Sequence, residues 1–543
     1  MNKLILLGAK TKELIAKNQF ILYLVVFFLG FFTYLWLQAT LTFLDPDSFY
    51  HLKMVKLIAA KGPILNFPWL QFTILKNIYI DHHFLYHVLA IPFVKFLGDF
   101  VGFKLYTVIL ATLFLLLSYA FLKKEKIKAA EIFVLFLLFA PDFMFRISLA
   151  KASAFSLIIL FGGIYFILKE KYWPLILISF LYVWSYGGFS LILVMAIIFG
   201  MANSLEKTII SAGLNFRIKR HWLKKIVDYV LLLFKNFFTI RNLKPFLAVL
   251  TGIILGVVIN PYFPKNLSFY WQQLVQIGII NYRGKVNVGG EWYPYDIFNL
   301  ISDSGAAMIL GAISLILFFI FIKKQKNKSI FFGLAAFLFF IMTLKSKRYV
   351  EYFIPFLVYF SAFTINYIWQ NVELKKFIAK VKQENYVLGV LSKFVLIYVI
   401  IIFPLLMAKD AYITKKSYIG GISFQRFEGI ANYLEKNSKP GEIVMQTDWS
   451  DFPMLFYHND QNYYIVGLDP TFMYNYDAKL YNLFADITMA KKSNDLYHDI
   501  KDVFRASYFI VNKDRLQLAI NLQNDGNFAK VYEDSDGSLY KLK

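Results

Sequence analysis

The residues best suited to chemistry gather early in the chain, between Leu44 and His87. This stretch opens LDPDSFYH, with Asp45, Asp47 and His51, and continues to DHHFLYH, with Asp81, His82, His83 and His87. Four of the chain's seven histidines lie here. On a helix, Asp47 and His51 stand four apart on one face, as do His83 and His87. Carboxylates and neutral imidazoles together bind a divalent cation, and either group can take a proton from an acceptor hydroxyl. Polar residues also collect in any wet loop, but Pro46 fixes the turn that presents this set. We therefore expect Asp45 or Asp47 as catalytic base or metal ligand. His82 and His83 would join Asp47 around Mg²⁺ or Mn²⁺, since a chain without cysteine offers no thiolate.

Four more segments carry candidate groups. Arg146 and Lys151 follow an apolar run; cations at a membrane face meet lipid phosphates, or merely snorkel. The loop 263–303 contains GGEWYPYD, where Glu291 and Asp296 sit among Trp292, Tyr293 and Tyr295. Aromatic faces stack on sugar rings and Glu291 offers a second catalytic acid, although such aromatics also form interfacial belts. KSKRYVEYF places Arg348 and Glu351 three apart, and a guanidinium grips phosphate oxygens in pairs. TDWSDFPMLFYHND follows a strand-like run, so Trp449 and Asp451 stand at a strand end, where α/β folds commonly place binding groups.

These groups must be positioned by membrane helices. The chain has 543 residues, 58% of them hydrophobic, 19% aromatic and only 17% charged. Its mean hydropathy of +0.53 excludes an ordinary soluble protein. The net charge of +23 would suit nucleic acid, but the basic residues lie in short clusters between apolar runs, as positive-inside topology demands. Apolar runs at 19–43, 101–122, 129–145, 152–168, 174–186, 189–203, 246–262, 306–322, 330–344, 352–369 and 387–408 give about eleven spans. With a basic, cytoplasmic N-terminus, an odd count puts the C-terminus outside, so the chain is read as a multi-pass cell-membrane protein. Residues 1–408 form the membrane part, with outer loops 44–99 and 263–303. From 409 to 543 the helix and strand patterns alternate, predicting an extracytoplasmic α/β domain. The cluster 345–348 alone breaks the charge rule, as a phosphate-gripping site would.

The layout resembles the GT-C class of membrane glycosyltransferases, and within it the catalytic subunit of oligosaccharyltransferases. LDPDSFYHLKMVKLIAAKG is similar to that family's first acidic motif with its following helix. APDFMFRISLAKASAFS is similar to its proline-then-arginine segment, and VWSYGGF to its tryptophan-glycine span end. GGEWYPYD stands where the family has the acidic motif of a flexible outer loop, and TDWSDF where it has the WWDYG sequence that recognises the acceptor sequon. One departure is plain: no carboxylate follows Arg146 in KASAFS, where the family carries a second acidic pair. Asp81, His82 or His83 would have to replace that ligand. The resemblance implies transfer of a sugar or oligosaccharide from a polyprenyl-phosphate- or pyrophosphate-linked donor to a protein or lipid acceptor, among membrane lipids. Arg146, Lys151 and Arg348 would bind the donor phosphate, Asp45, Asp47 and Glu291 would act in catalysis, and Trp449 and Asp451 would bind the acceptor. The competing readings are a transporter or flippase of lipid-linked sugars and a non-catalytic assembly protein. Both predict no metal-dependent turnover, and the first also predicts internal repeats that this sequence does not show.

Overall fold

A computed structural model describes residues 19–212, 222–370 and 403–543. Among these residues six helices are long and apolar enough to cross a membrane: Gln19–Gln38, Asp99–Lys124, Leu191–Ile210, Ile240–Val258, Asn327–Lys345 and Lys347–Gln370. A helix pair, Ile297–Asp303 and Gly305–Ile320, passes the same test together but is bent by 104°. The runs at 129–145, 152–168 and 174–186 fall on shorter elements. Pro141 splits the first into Ala130–Leu138 and Pro141–Ile147, with Ala140 extended before the proline as its ring requires. Ser153–Leu168 has 16 residues, about 24 Å of helix against roughly 30 Å of hydrocarbon. Most of the run at 387–408 lies outside the described residues.

Gln19–Gln38 shows why the assembly belongs in lipid. Phe20, Val25, Phe28 and Phe32 are exposed, an apolar face unsuited to water. Inside the bundle, close packing depends on small residues. A Cβ on Gly252 would lie 2.3 Å from the Ile176 carbonyl oxygen, and one on Gly256 would lie 2.9 Å from that of Phe180. This small-x₃-small spacing lets Ile240–Val258 lie directly on the backbone of Tyr172–Val183.

Among the described residues seven strands complete the fold. β1 (Thr42–Phe43) pairs antiparallel with β2 (Ile422–Ser423). The others are β3 (Ile443–Gln446), β4 (Tyr463–Tyr464), β5 (Ala506–Asn512), β6 (Phe528–Glu533) and β7 (Gly537–Leu542). They form one sheet of order β4-β3-β5-β7-β6, with β3 parallel to both neighbours and β7 antiparallel to β5 and β6. The helical pattern at 427–435 falls on Glu428–Asn437, and the strand patterns at 442–446, 463–467 and 507–511 fall on β3, β4 and β5, although β4 takes only the first two residues of its run.

The C-terminal sheet and the first loop are locked together. Tyr464 N–H donates to the Trp69 carbonyl at 2.7 Å, so residues 69–71 extend the β4 edge. Phe424 stacks on Phe100 with ring centroids 3.9 Å apart, Tyr50 packs on Phe456, and the Lys53 ammonium meets Asp460 at 3.1 Å. The helix Asp47–Lys61, which starts at the acidic turn, is thus clamped between membrane helices and sheet.

Candidate functional site

The acidic turn is built by its own backbone. Asp45 Oδ1 accepts the Asp47 N–H at 2.8 Å, and Pro46 starts the helix Asp47–Lys61. Both carboxylates then converge on one cation. The Lys151 Nζ lies 2.7 Å from Asp45 Oδ2 and 2.8 Å from Asp47 Oδ2, with its side chain 13% exposed. Burial works against the lysine's charge, but Asp45 and Asp47 outweigh it and raise its pKa. Burial also pushes the Asp47 carboxyl up to about 6, against the pull of Lys151.

A second cluster has the opposite sign pattern. Glu291 lies between two guanidiniums: Arg146 Nη1 donates to Oε2 at 2.5 Å, and Arg348 Nη1 to Oε1 at 2.7 Å. Arg146 also donates from Nε and Nη2 to Glu351, at 3.0 and 2.9 Å. Arg348 reaches the Tyr186 hydroxyl at 2.9 Å, and its guanidinium lies 4.9 Å from the centre of the Trp292 ring. Desolvation opposes ionisation of Glu291, yet Arg348 and Arg146 hold its carboxyl far below the usual range. Such an ion is a poor proton acceptor, so Glu291 does not suit the catalytic acid-base role expected for it. Its loop is strapped from several sides. Lys347 N–H donates to the Tyr293 carbonyl at 3.0 Å, Ser346 to the Glu291 carbonyl at 2.8 Å, and Tyr295 to Asp142 at 2.7 Å.

Both clusters line one cavity of about 530 Å³. Asp45, Asp47, His82, His83, Arg146, Lys151, Glu291, Arg348 and Trp449 all face it, from six separate stretches of chain. Trp449 donates its indole N–H to the Asn287 carbonyl at 3.0 Å, joining the sheet region to the GGEW loop. Asp451 is not part of the lining. It is buried, accepts the Asp448 N–H at 3.1 Å and Asn512 at 2.9 Å, and closes a capping box, so its role is local. Burial, with Asp448 close by, pushes its carboxyl up to about 7. Asp296, also in the sequence motif, caps the helix Ile297–Asp303.

The histidines form a buried relay. His87 Nδ1 lies 2.7 Å from Asp81 Oδ2, and His87 Nε2 lies 2.8 Å from His51 Nδ1. His51 ends this chain at the cavity wall. His82 is lowered to about 4 and His83 well below its ordinary value, burial being the main cause of both. Neutral imidazoles are able to bind a metal, but here the set does not close. Among the described residues no three His, Asp or Glu side chains converge well enough to hold an ion. Asp47, His82 and His83 do not form the expected ligand set, and the oxygens of Asp45 and Asp47 are already directed at an ammonium. The donor set does not fit a divalent cation.

Sequence reasoning missed Glu351 as a partner of Arg146, because the pairing spans 205 residues. It also missed Gln273 and Asp469 in the lining. Tyr186, which accepts from Arg348, was missed too, although it lies within VWSYGGF, so a signal for it existed.

No family model and no curated relative matches the sequence. Solved structures do match. An archaeal oligosaccharyltransferase, AglB from Archaeoglobus fulgidus, solved with an inhibitory peptide and a dolichol-phosphate, aligns with a TM-score of 0.59 at 13% identity. The alignment covers 97% of this chain and 75% of that one. The apo form of an oligosaccharyltransferase from the same organism aligns with a TM-score of 0.58 at 12% identity, over 96% and 74% of the two chains. The likeness expected from the motifs is therefore present as a shared fold.

Proposed function

We propose that this chain is a membrane glycosyltransferase that moves a sugar or oligosaccharide from a polyprenyl-phosphate- or pyrophosphate-linked donor to an acceptor on the outer face. One observation carries the reading: a single cavity, in an oligosaccharyltransferase fold, collects three cations and four carboxylates beside two tryptophans. In such a transfer the bond between the sugar's anomeric carbon and the phosphate oxygen breaks, and a bond to the acceptor forms. Negative charge gathers on the departing phosphate, and preorganised cations lower the barrier. Arg348 and Arg146 would receive that phosphate in place of Glu291, with Lys151 nearby. Asp47, with its carboxyl near pH 6, is the cavity acid best matched to take the acceptor's proton. Trp292 and Trp449 would flank the sugar and the acceptor.

The relative solved with dolichol-phosphate and a peptide supports a lipid donor and a peptide acceptor. Phe353 and Leu357, further along the helix that follows Arg348, line an apolar groove of about 590 Å³ suited to a polyprenyl tail. In this reading about eleven spans carry the chain from a cytoplasmic N-terminus to an outer C-terminal domain, 409–543, over the membrane part, 1–408. The test is direct. Purified protein in nanodiscs is given lipid-linked sugars from membrane extracts and a labelled peptide. Transfer by wild type and its loss in Arg348→Ala and Asp47→Asn support the proposal; tight donor binding without transfer by wild type favours the non-catalytic reading.

A further inference from the structure

We propose that Lys151 is a resident cation that holds, between Asp45 and Asp47, the position a divalent ion would need, so that the site carries its positive charge on the chain itself. The inference rests on the proposed transfer for its purpose, but not for its geometry. Two carboxylates two residues apart, turned to the same point and partly buried, repel each other unless a cation lies between them. In other proteins a hard dication answers that need, held at about 2.0–2.6 Å by oxygens. Here the ammonium already lies 2.7 and 2.8 Å from one oxygen of each. A dication bound to the same two oxygens would have to displace it. One approaching the outer oxygens would face Lys151, Arg146 and Arg348, all lining the same cavity.

The other acids of the cavity offer no alternative. Glu291 is held by the two arginines, and Asp469 accepts the Thr471 N–H at 2.8 Å. The place of Lys151 in the sequence has its own meaning. It stands in the KASAFS segment where a further carboxylate was expected, so a ligand is missing and a cation has been supplied in the same few residues. The local turn fixes it: Lys151 N–H donates to the Leu149 carbonyl at 2.7 Å, just before the helix Ser153–Leu168.

A lysine differs from a metal in ways that matter for the reaction. It cannot exchange with solution, and it brings one charge rather than two. It also brings three N–H donors, of which Asp45 and Asp47 take two. The third is what it offers an anionic oxygen of the donor.

The test measures metal directly and requires neither donor nor acceptor. Full-length protein, purified in detergent and treated with chelator, is titrated with Mn²⁺ while electron paramagnetic resonance reads the free ion. Wild type is expected to show no stoichiometric site. Lys151→Asp, which adds a third carboxylate beside Asp45 and Asp47, is expected to gain one Mn²⁺ per chain, and Lys151→Asp/Asp47→Asn to lose it again. Lys151→Glu serves if the aspartate variant does not fold. A stoichiometric Mn²⁺ site in wild type, or folded Lys151 variants that bind none, overturns the proposal. Failure of the transfer assay alone would overturn the proposed function and leave this result standing.

Discussion

The two ion clusters of the cavity are built as opposites. In one a single ammonium lies between two carboxylates; in the other a single carboxylate lies between two guanidiniums. On the proposals above, the first would be closed to outside cations, because its centre is already positive, and the second would admit an outside anion, a phosphate taking the place of its carboxylate. Their depth differs too. Glu351, 1% exposed, anchors Arg146 from behind, while Arg348 is held by Tyr186 and Trp292 at the cavity wall.

The largest effect should come from breaking that anchor. Arg146→Ala strands the buried Glu351 charge and is expected to cost about 3–5 kcal/mol of stability. Thermal unfolding in detergent reads it, and Arg146→Met/Glu351→Met should recover most of the loss, since an apolar pair can replace a buried ion pair. Arg348→Ala should separate function from folding: about 10²–10³-fold less transfer, with the unfolding midpoint near wild type. A matching fall in both quantities would place Arg348 with the anchor instead.

The clusters should also differ in their response to pH. The Asp47 carboxyl is raised to about 6, so its charge is lost as pH falls through that value. Transfer should decline below pH 6, approaching about tenfold per unit, while Glu291, held far lower by the arginines, adds no limb between pH 5 and 8. A pH profile of kcat/KM checks this, and a flat profile would remove Asp47 as proton acceptor. The smallest effect is expected of Trp449→Phe, which removes the N–H bond to Asn287, worth about 1 kcal/mol, and trims the ring beside Gly289. It should appear in the acceptor's KM and leave the unfolding midpoint in place.

The two clusters were not equally legible in the sequence. Asp45, Asp47 and Lys151 could each be singled out by local context: a proline turn, or a cation after an apolar run. What they do to one another could not, because the contact joins segments about a hundred residues apart. Arg348 and Glu351 show the same limit from the other side. Their spacing of three was visible, but Glu351 turns to Arg146, and no local pattern encodes that choice. Strands β3, β4 and β5 were readable from alternation and turn residues, whereas β1 and β2, two residues each, carry no periodic signal. The apolar runs marked the helices well, but Pro141 cut one run short where composition alone predicted a crossing.

The pairing of β1 with β2 has a consequence for timing. Thr42 bonds in register with Ser423, about 380 residues later in the chain. At roughly 5–20 residues per second of synthesis, the acidic turn must wait roughly 20–80 s for the partner that seats it. Gly421 makes the contact possible, since a Cβ there would lie 2.5 Å from the Phe43 carbonyl oxygen. A half-made chain, already threaded through the membrane, therefore carries its acidic turn without this partner until Ser423 of the 543 residues has been made.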